Sequence, residues 1–358
     1  MMSRAYIIMI LITGIFSMNS CKELYYPEID PPAKIITVEG LITDEPGPYF
    51  VRLSYTSVYF SEKLPEPVND ANVYVTGNNG DIYMFTRSSR PGEYRSPSML
   101  RGEVGNTYVL HIQTPEGDEY RSAPQTILPH HGIRELLADT SYRTRTRISN
   151  SGRLIIEEIS GVNATLIVDE NRKSQANIRF RSDVKVLYTY EGGSFLEPVR
   201  YYCWKELRRF EGLDNINLPA TSNRPGDVSN NVVAFMPFDK TEYRLDLYDV
   251  LRSLLIRVTL YTINNDTYNY YLNINKQLTS DETVFAPIPS QIDGNIISVS
   301  DPERFATGFF EASSVTSSAF IMRSPPHRSN IFFEATDIYD DIPAAGCYVN
   351  EMPPFWNN

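Results

Sequence analysis

The sequence predicts a mainly β protein: an N-terminal immunoglobulin- or fibronectin-like sandwich, followed by a larger β-rich domain with one notable helix. Three observations carry that expectation. Tyr and Pro each occur 24 times in 358 residues, and with abundant Val, Ile and Thr they describe strands broken by turns. Short runs with period-two hydrophobicity recur at close spacing in the first third of the chain, separated by Gly, Pro and Asn. A single stretch, near residues 266–279, repeats its apolar positions with helical spacing.

The first element is an export signal, residues 1–20. Arg4 supplies a positive start, and Ala5 to Phe16 forms an apolar run too short for a bilayer, which needs about 20 residues. Ser17-Met18-Asn19-Ser20 then leads into Cys21. This order reads as a lipoprotein signal with Cys21 as the acylated residue. The other reading is an ordinary cleaved signal, with Cys21 a plain residue beyond it. Residues 21–33, polar and punctuated by proline, read as a tether, so the expected product is anchored to a membrane by lipid.

Residues 34–128 carry the sandwich expectation. Ile35 to Gly40 and Phe50 to Tyr55 read as strands around the turn Glu45-Pro46-Gly47-Pro48, and a longer loop follows from Ser61 to Asn69. Ala71 to Thr76, the turn Gly77-Asn78-Asn79-Gly80 and Asp81 to Phe85 form a hairpin signal. Gly92 to Tyr94 and Gly105 to Ile112 come next, and the last hairpin turns at Pro115 to Asp118 and ends near Ala123. About seven short strands at this spacing suit a two-sheet sandwich.

Pro124 to Gly132 reads as a junction, and 129–358 as the second domain. Its strands are expected at Arg153 to Ile159, Ala164 to Asp169, Asn177 to Tyr190, Val232 to Phe238 and Leu251 to Ile263. Ile178, Phe180, Val184, Val186 and Tyr188 are its candidate core. The helix should be capped by Asn265 or Asp266 and should bury Tyr268, Tyr271, Leu272 and Leu278. Ile296 to Val299, Thr307 to Ala312, Ser317 to Met322 and Ile331 to Glu334 complete the set.

Several of these segments resemble the Bacteroidetes outer-membrane lipoproteins known as domain of unknown function 4249. The resemblance rests on Val38-Glu39-Gly40, Asp70-Ala71-Asn72-Val73, Gly105-Asn106-Thr107-Tyr108 and Cys203-Trp204. It rests further on Asp266-Thr267-Tyr268, on Phe285 through Ile296, and on Gly308-Phe309-Phe310-Glu311-Ala312-Ser313. It implies a cell-envelope lipoprotein, often encoded beside a TonB-dependent outer-membrane transporter, and it implies no reaction.

Charge and cysteine usage fit an exported binding protein. There are 33 basic and 44 acidic residues, formal net charge −11. Loss of Arg4 with the signal takes the remainder to −12, a balance that repels nucleic acid and lends no support to an amphipathic helix on anionic lipid. Of three cysteines, Cys21 is assigned to lipid. Cys203 and Cys347 are then either a disulfide or two separate buried thiols.

A search for chemistry finds no Gly-x-Ser-x-Gly elbow, no His-Glu-x-x-His, no phosphate loop and no dinucleotide fingerprint, so no catalytic residue, cofactor or metal ligand is expected. His130-His131 is the sole histidine pair. Neighbours on an extended chain point apart, so a solvated linker is expected there rather than a metal site. His111 and His327 are lone residues. Asp337, Asp340 and Asp341 could offer oxygens to Ca²⁺, but their spacing suits a solvated acidic turn. Tyr25-Tyr26, Tyr188/Tyr190, Tyr201-Tyr202 and Tyr268/Tyr270/Tyr271 could supply stacking surfaces, although strand packing explains tyrosine equally.

The expectation is therefore a non-enzymatic cell-envelope lipoprotein of the outer membrane, on its periplasmic or surface face. It would be an accessory or ligand-binding partner of a TonB-dependent transporter. A structural or adhesive surface protein is the alternative, and a hydrolase with a site assembled from distant residues is the second.

Overall fold

The computed structural model describes residues 34–56, 64–149, 151–169, 176–194, 196–207, 218, 231–278, 292–323 and 332–356. The signal segment, the tether and Cys21 lie outside the described residues, as do Tyr25-Tyr26 and His327. Ile35–Thr56 and Pro65–Asn358 form one compact unit.

The chain is mainly β, and the first nine strands make the N-terminal sandwich. They are β1 (Ile36–Thr43), β2 (Phe50–Tyr55), β3 (Glu66–Pro67), β4 (Asn72–Gly77) and β5 (Ile82–Arg87), then β6 (Glu93–Arg95), β7 (Thr107–Gln113), β8 (Glu119–Ser122) and β9 (Gln125–Thr126). Period-two alternation decides which side chains enter the core. Ile36, Val38 and Ile42 of β1 meet Val51 and Leu53 of β2, Val73 and Val75 of β4, and Leu110 and Ile112 of β7. Glu39 and Arg52 point outward and pair with one another instead.

The second part contains β10 (Ile133–Ile148), β11 (Leu154–Val168), β12 (Asn177–Ser194), β13 (Glu197–Leu207), β14 (Asn231–Pro237) and β15 (Val250–Ile263). Helix α1 (Asn265–Leu278) follows, then β16 (Ile296–Ser298), β17 (Ala306–Arg323), β18 (Phe332–Thr336) and β19 (Ala345–Val349). Five strands lie side by side in the order β17-β15-β12-β13-β19, and β10-β11-β14 form a separate sheet. The two sheets share a core in which Val162, Ala164 and Leu166 of β11 pack with Ile178, Phe180, Leu254, Ile256 and Val258. The opposite face of β15 is covered too, through Leu255, Tyr261 and Ile263. Burial on both faces explains why β15 reads as a nearly unbroken apolar run.

Segment 34–128 does not complete its sandwich alone. The first half of β17 pairs parallel to β1, Ile36 opposite Ala306 through Thr43 opposite Ser313. β16 pairs with β8. The second half of β17 pairs antiparallel to β15, so one strand of 18 residues belongs to both sheets. Gly308 permits the parallel contact. Its φ is +97°, and a Cβ there would lie 1.9 Å from the Val38 carbonyl oxygen. Any other residue would have to push the two backbones apart.

Several expectations shift. The stretches expected as strands at 307–312 and 317–322 are one continuous strand, and so are those at 153–159 and 164–169. β10 was not expected at all. The α1 cap is Asn264, whose Oδ1 accepts from the Thr267 amide at 2.8 Å, not Asn265 or Asp266. The helix buries Thr267 and Ile274, and Leu278 is exposed. Tyr268 and Tyr271 do face the sheet, Tyr268 beside Tyr261, Ile263 and Val315 and Tyr271 on Glu311, so the expected stripe departs at its Leu278 end.

Candidate functional site

The residues singled out in sequence are scattered. Cys203 and Cys347 stand opposite each other on β13 and β19 and are joined by a disulfide. This bond fastens a C-terminal edge strand across 144 residues of chain, a closure long enough to restrict the unfolded ensemble strongly. His130 and His131 diverge, as adjacent residues on an extended chain should. His131 is not solvated, however, and the expected open linker is corrected here. Its amide donates to Thr262 Oγ1 at 3.0 Å, and its carbonyl accepts from Thr316 Oγ1 at 2.9 Å. Burial pushes its imidazole pKa below the ordinary 6.5. His130 Nε2 meets Asp44 at 2.5 Å, and Asp44 also accepts from the Val315 amide at 2.9 Å. His111 likewise has partners: it stacks on Tyr74 and bonds Thr76.

The acidic run at 337–341 is a turn with Asp337, Asp340 and Asp341 exposed, as expected. Arg257 Nη1 donates to Asp340 at 2.6 Å. Lys185 Nζ donates to the carbonyls of Tyr339, at 2.5 Å, and Ile342, at 2.6 Å. Burial lowers the Lys185 pKa, and burial raises that of Tyr339. Among the described residues no group of His, Cys, Asp and Glu has metal-binding geometry.

The tyrosines mostly serve packing. Tyr190 and Tyr201 stack on each other across β12 and β13, and Tyr270 stacks on Phe309 at 4.6 Å between centroids. Tyr271 belongs to a buried cluster that sequence reading did not find. Arg179 of β12 and Glu311 of β17 are 5 % and 1 % exposed and face each other at 2.9–3.1 Å through two guanidinium nitrogens. Tyr271 Oη donates to Glu311 Oε2 at 2.8 Å, and Ser313 Oγ donates to Oε1 at 2.7 Å. The guanidinium lies over the Tyr261 ring at 3.6 Å. Burial opposes the Arg179 charge, but Glu311 outweighs it and raises the pKa above its ordinary value. Burial first, and then the Glu311 charge, push the Tyr271 hydroxyl well up. Every acceptor of Glu311 is occupied, so the cluster is a lock between β12, β17 and α1 with no group left for a substrate.

The remaining candidate is a surface. β10 and β11 form a hairpin paired from Ile133 opposite Val168 out to Ile148 opposite Leu154. β14 supports it only as far as Gly161, and the Phe238 amide adds one bond to the Ser160 carbonyl. Beyond that point the hairpin is a two-stranded ribbon with an open β10 edge among the described residues. The face that buries Val162, Ala164 and Leu166 continues outward as a mixed surface. On it Tyr142, Ile148, Leu154 and Ile156, which are 66 %, 72 %, 68 % and 70 % exposed, stand among Thr144, Thr146, Glu158 and Ser160, with Ile148, Leu154 and Ile156 lying at the tip. Arg143, Arg145 and Arg147 line the other face. Arg145 and Arg147 both reach Glu157, chiefly through hydrogen bonds that lower its pKa, and Arg143 lies over the Phe235 ring.

A family model described as Domain of unknown function (DUF4249) matches residues 22–319. The chain belongs to that family. No curated protein and no solved structure matches it. In this DUF4249 chain two of the runs that carry the resemblance, Val38-Glu39-Gly40 and Gly308 to Ser313, meet at the β1–β17 seam. Gly308 passes beside Val38, and Gly40 faces Phe310. The Asn295 side chain gives and accepts 2.8 Å bonds with the Phe310 backbone, standing in for a strand partner. Glu311 holds Arg179 and accepts from Ser313. At this seam the DUF4249 residues build an architecture.

Proposed function

We propose that this chain is a non-enzymatic, lipid-anchored cell-envelope protein that works in the outer membrane as an accessory or ligand-binding partner of a TonB-dependent transporter. The observation that carries the reading is Cys21 at the end of a short apolar run begun by Arg4. The family match starts at residue 22, which suits a processing point just ahead of the folded region. The transporter partnership follows from the resemblance to envelope lipoproteins encoded beside such barrels, and a lipid anchor would concentrate the protein at the barrel.

Labelled palmitate should enter the wild-type protein and not Cys21→Ala, and the variant should leave the membrane fraction. Solubilised membranes should yield an outer-membrane barrel on affinity capture of the wild type. Absence of label overturns the anchor, and repeated capture without a barrel overturns the partnership.

A further inference from the structure

The outer part of the β10–β11 hairpin has a composition unlike the rest of the chain. From Tyr142 opposite Ser160 out to the turn stand four arginines, 143, 145, 147 and 153, against two acidic residues, Glu157 and Glu158, a local balance of +2 where the whole chain carries a net charge of −11. The last strand pair is Ile148 opposite Leu154, and the next positions place Arg147 opposite Ile155 and Thr146 opposite Ile156. Gly152 closes the turn at φ +77°, so Arg153 and three apolar side chains stand together at the tip.

We propose that this tip docks into the headgroup layer of a membrane containing anionic phospholipid, with Ile148, Leu154 and Ile156 entering the acyl boundary and Arg147 and Arg153 meeting lipid phosphates. The chemistry favours this occupant over a second copy of the chain. Antiparallel pairing of two β10 edges about Arg145 would set arginine against arginine at every other position, which like charges disfavour. A headgroup layer separates the two demands by depth: hydrocarbon for the Ile and Leu side chains, and anionic oxygens a few ångströms above for guanidinium groups on flexible stems. Each arginine at an anionic surface strengthens partitioning by on the order of fivefold, within a Debye length.

The test places a reporter at the tip of the full chain, as Leu154→Trp, with the emission of unsubstituted protein subtracted. Vesicles of phosphatidylethanolamine and phosphatidylglycerol should shift its emission to the blue, and brominated acyl chains should quench it. Vesicles of phosphatidylcholine alone should do neither. Adding Arg145→Glu, Arg147→Glu and Arg153→Glu should weaken the response roughly a hundredfold in lipid concentration. Circular dichroism and an unchanged melt would show that this variant folds. An unshifted reporter, an equal shift on phosphatidylcholine or indifference to the charge reversals would each overturn the proposal. So would a shift that grows with protein concentration without vesicles, which would mean self-association, or one produced only by an added acidic protein. The reporter senses the tip and not the N-terminus, so its result stands apart from the palmitate experiment.

Discussion

Arg179 and Glu311 meet behind Tyr261 and Tyr271 with almost no water contact, while Arg145 and Arg147 share Glu157 on a ribbon where about half of each arginine side chain is exposed. The partner chemistry is the same in both places, a guanidinium against a carboxylate. The surroundings reverse its meaning. Inside the seam neither charge can be solvated if the other is lost, so the pair is obligatory once built. On the arm water and salt screen the charges, so the same pairing contributes little to folding and leaves the arginines able to answer other anions.

The largest effect should come from breaking the buried pair while keeping its shape. Glu311→Gln leaves the Arg179 charge inside the protein without a counter-charge, and should cost about 3–5 kcal/mol in urea unfolding. The double variant Arg179→Met with Glu311→Leu removes both charges and should be more stable than Glu311→Gln alone. A double variant as unstable as the single one would mean that cavity and packing effects, rather than the stranded charge, govern the seam.

An intermediate effect is expected at His131, which is buried like Glu311 but titratable near neutrality. Its folded pKa lies below the ordinary 6.5, so beneath that pH the unfolded chain binds a proton that the folded chain refuses. Stability is therefore fully present above about pH 6.5 and falls as the solution is acidified toward the folded pKa, by no more than about 1.4 kcal/mol per pH unit for one proton. His131→Asn, which retains a side chain able to bond Thr262, should flatten that slope between pH 7 and 5. Because burial, and then the Arg121 charge, also lower the pKa of His111, His111→Gln is the control. An unchanged slope in His131→Asn would assign the acid sensitivity to other groups.

The sandwich strands were legible because one face of each is apolar. Ile36, Val38, Val73, Val75, Leu110 and Ile112 mark β1, β4 and β7 by alternation alone. β10 was not legible because its outer half alternates arginine with threonine, polar on both faces, so no hydrophobic period exists to find. β17 was read as two strands because Ser313-Ser314-Val315-Thr316 looks like a break. Two of the three hydroxyls instead find partners inside, Ser313 with Glu311 and Thr316 with the His131 carbonyl, while that of Ser314 is buried without one. Long-range pairing of this kind leaves no local trace. The buried lock did leave a signal that went unused: Arg179 is a lone cation between Ile178 and Phe180, and Glu311 a lone anion after Phe309-Phe310. Two opposite charges, each embedded in a core strand, invite pairing. The exposed apolar tip of the arm could not be read at all, since Ile148, Leu154 and Ile156 look like any strand until the supporting sheet is seen to end.

The smallest effect completes the contrast. Glu157→Gln removes the acidic residue that Arg145 and Arg147 share, yet the unfolding midpoint should stay within the scatter of repeat measurements, because exposed pairs exchange one set of solvated contacts for another. The same substitution raises the positive charge of the arm by one, so its association with anionic vesicles should tighten while folding stability does not move. The two readouts separate the regions cleanly: charge deletion at Glu311 should register in unfolding, and charge deletion at Glu157 in surface binding. A drop in stability at Glu157 approaching that at Glu311 would mean that the hairpin is held by its ion pairs rather than by its ladder, and burial would no longer explain why one arginine is locked and the others are available.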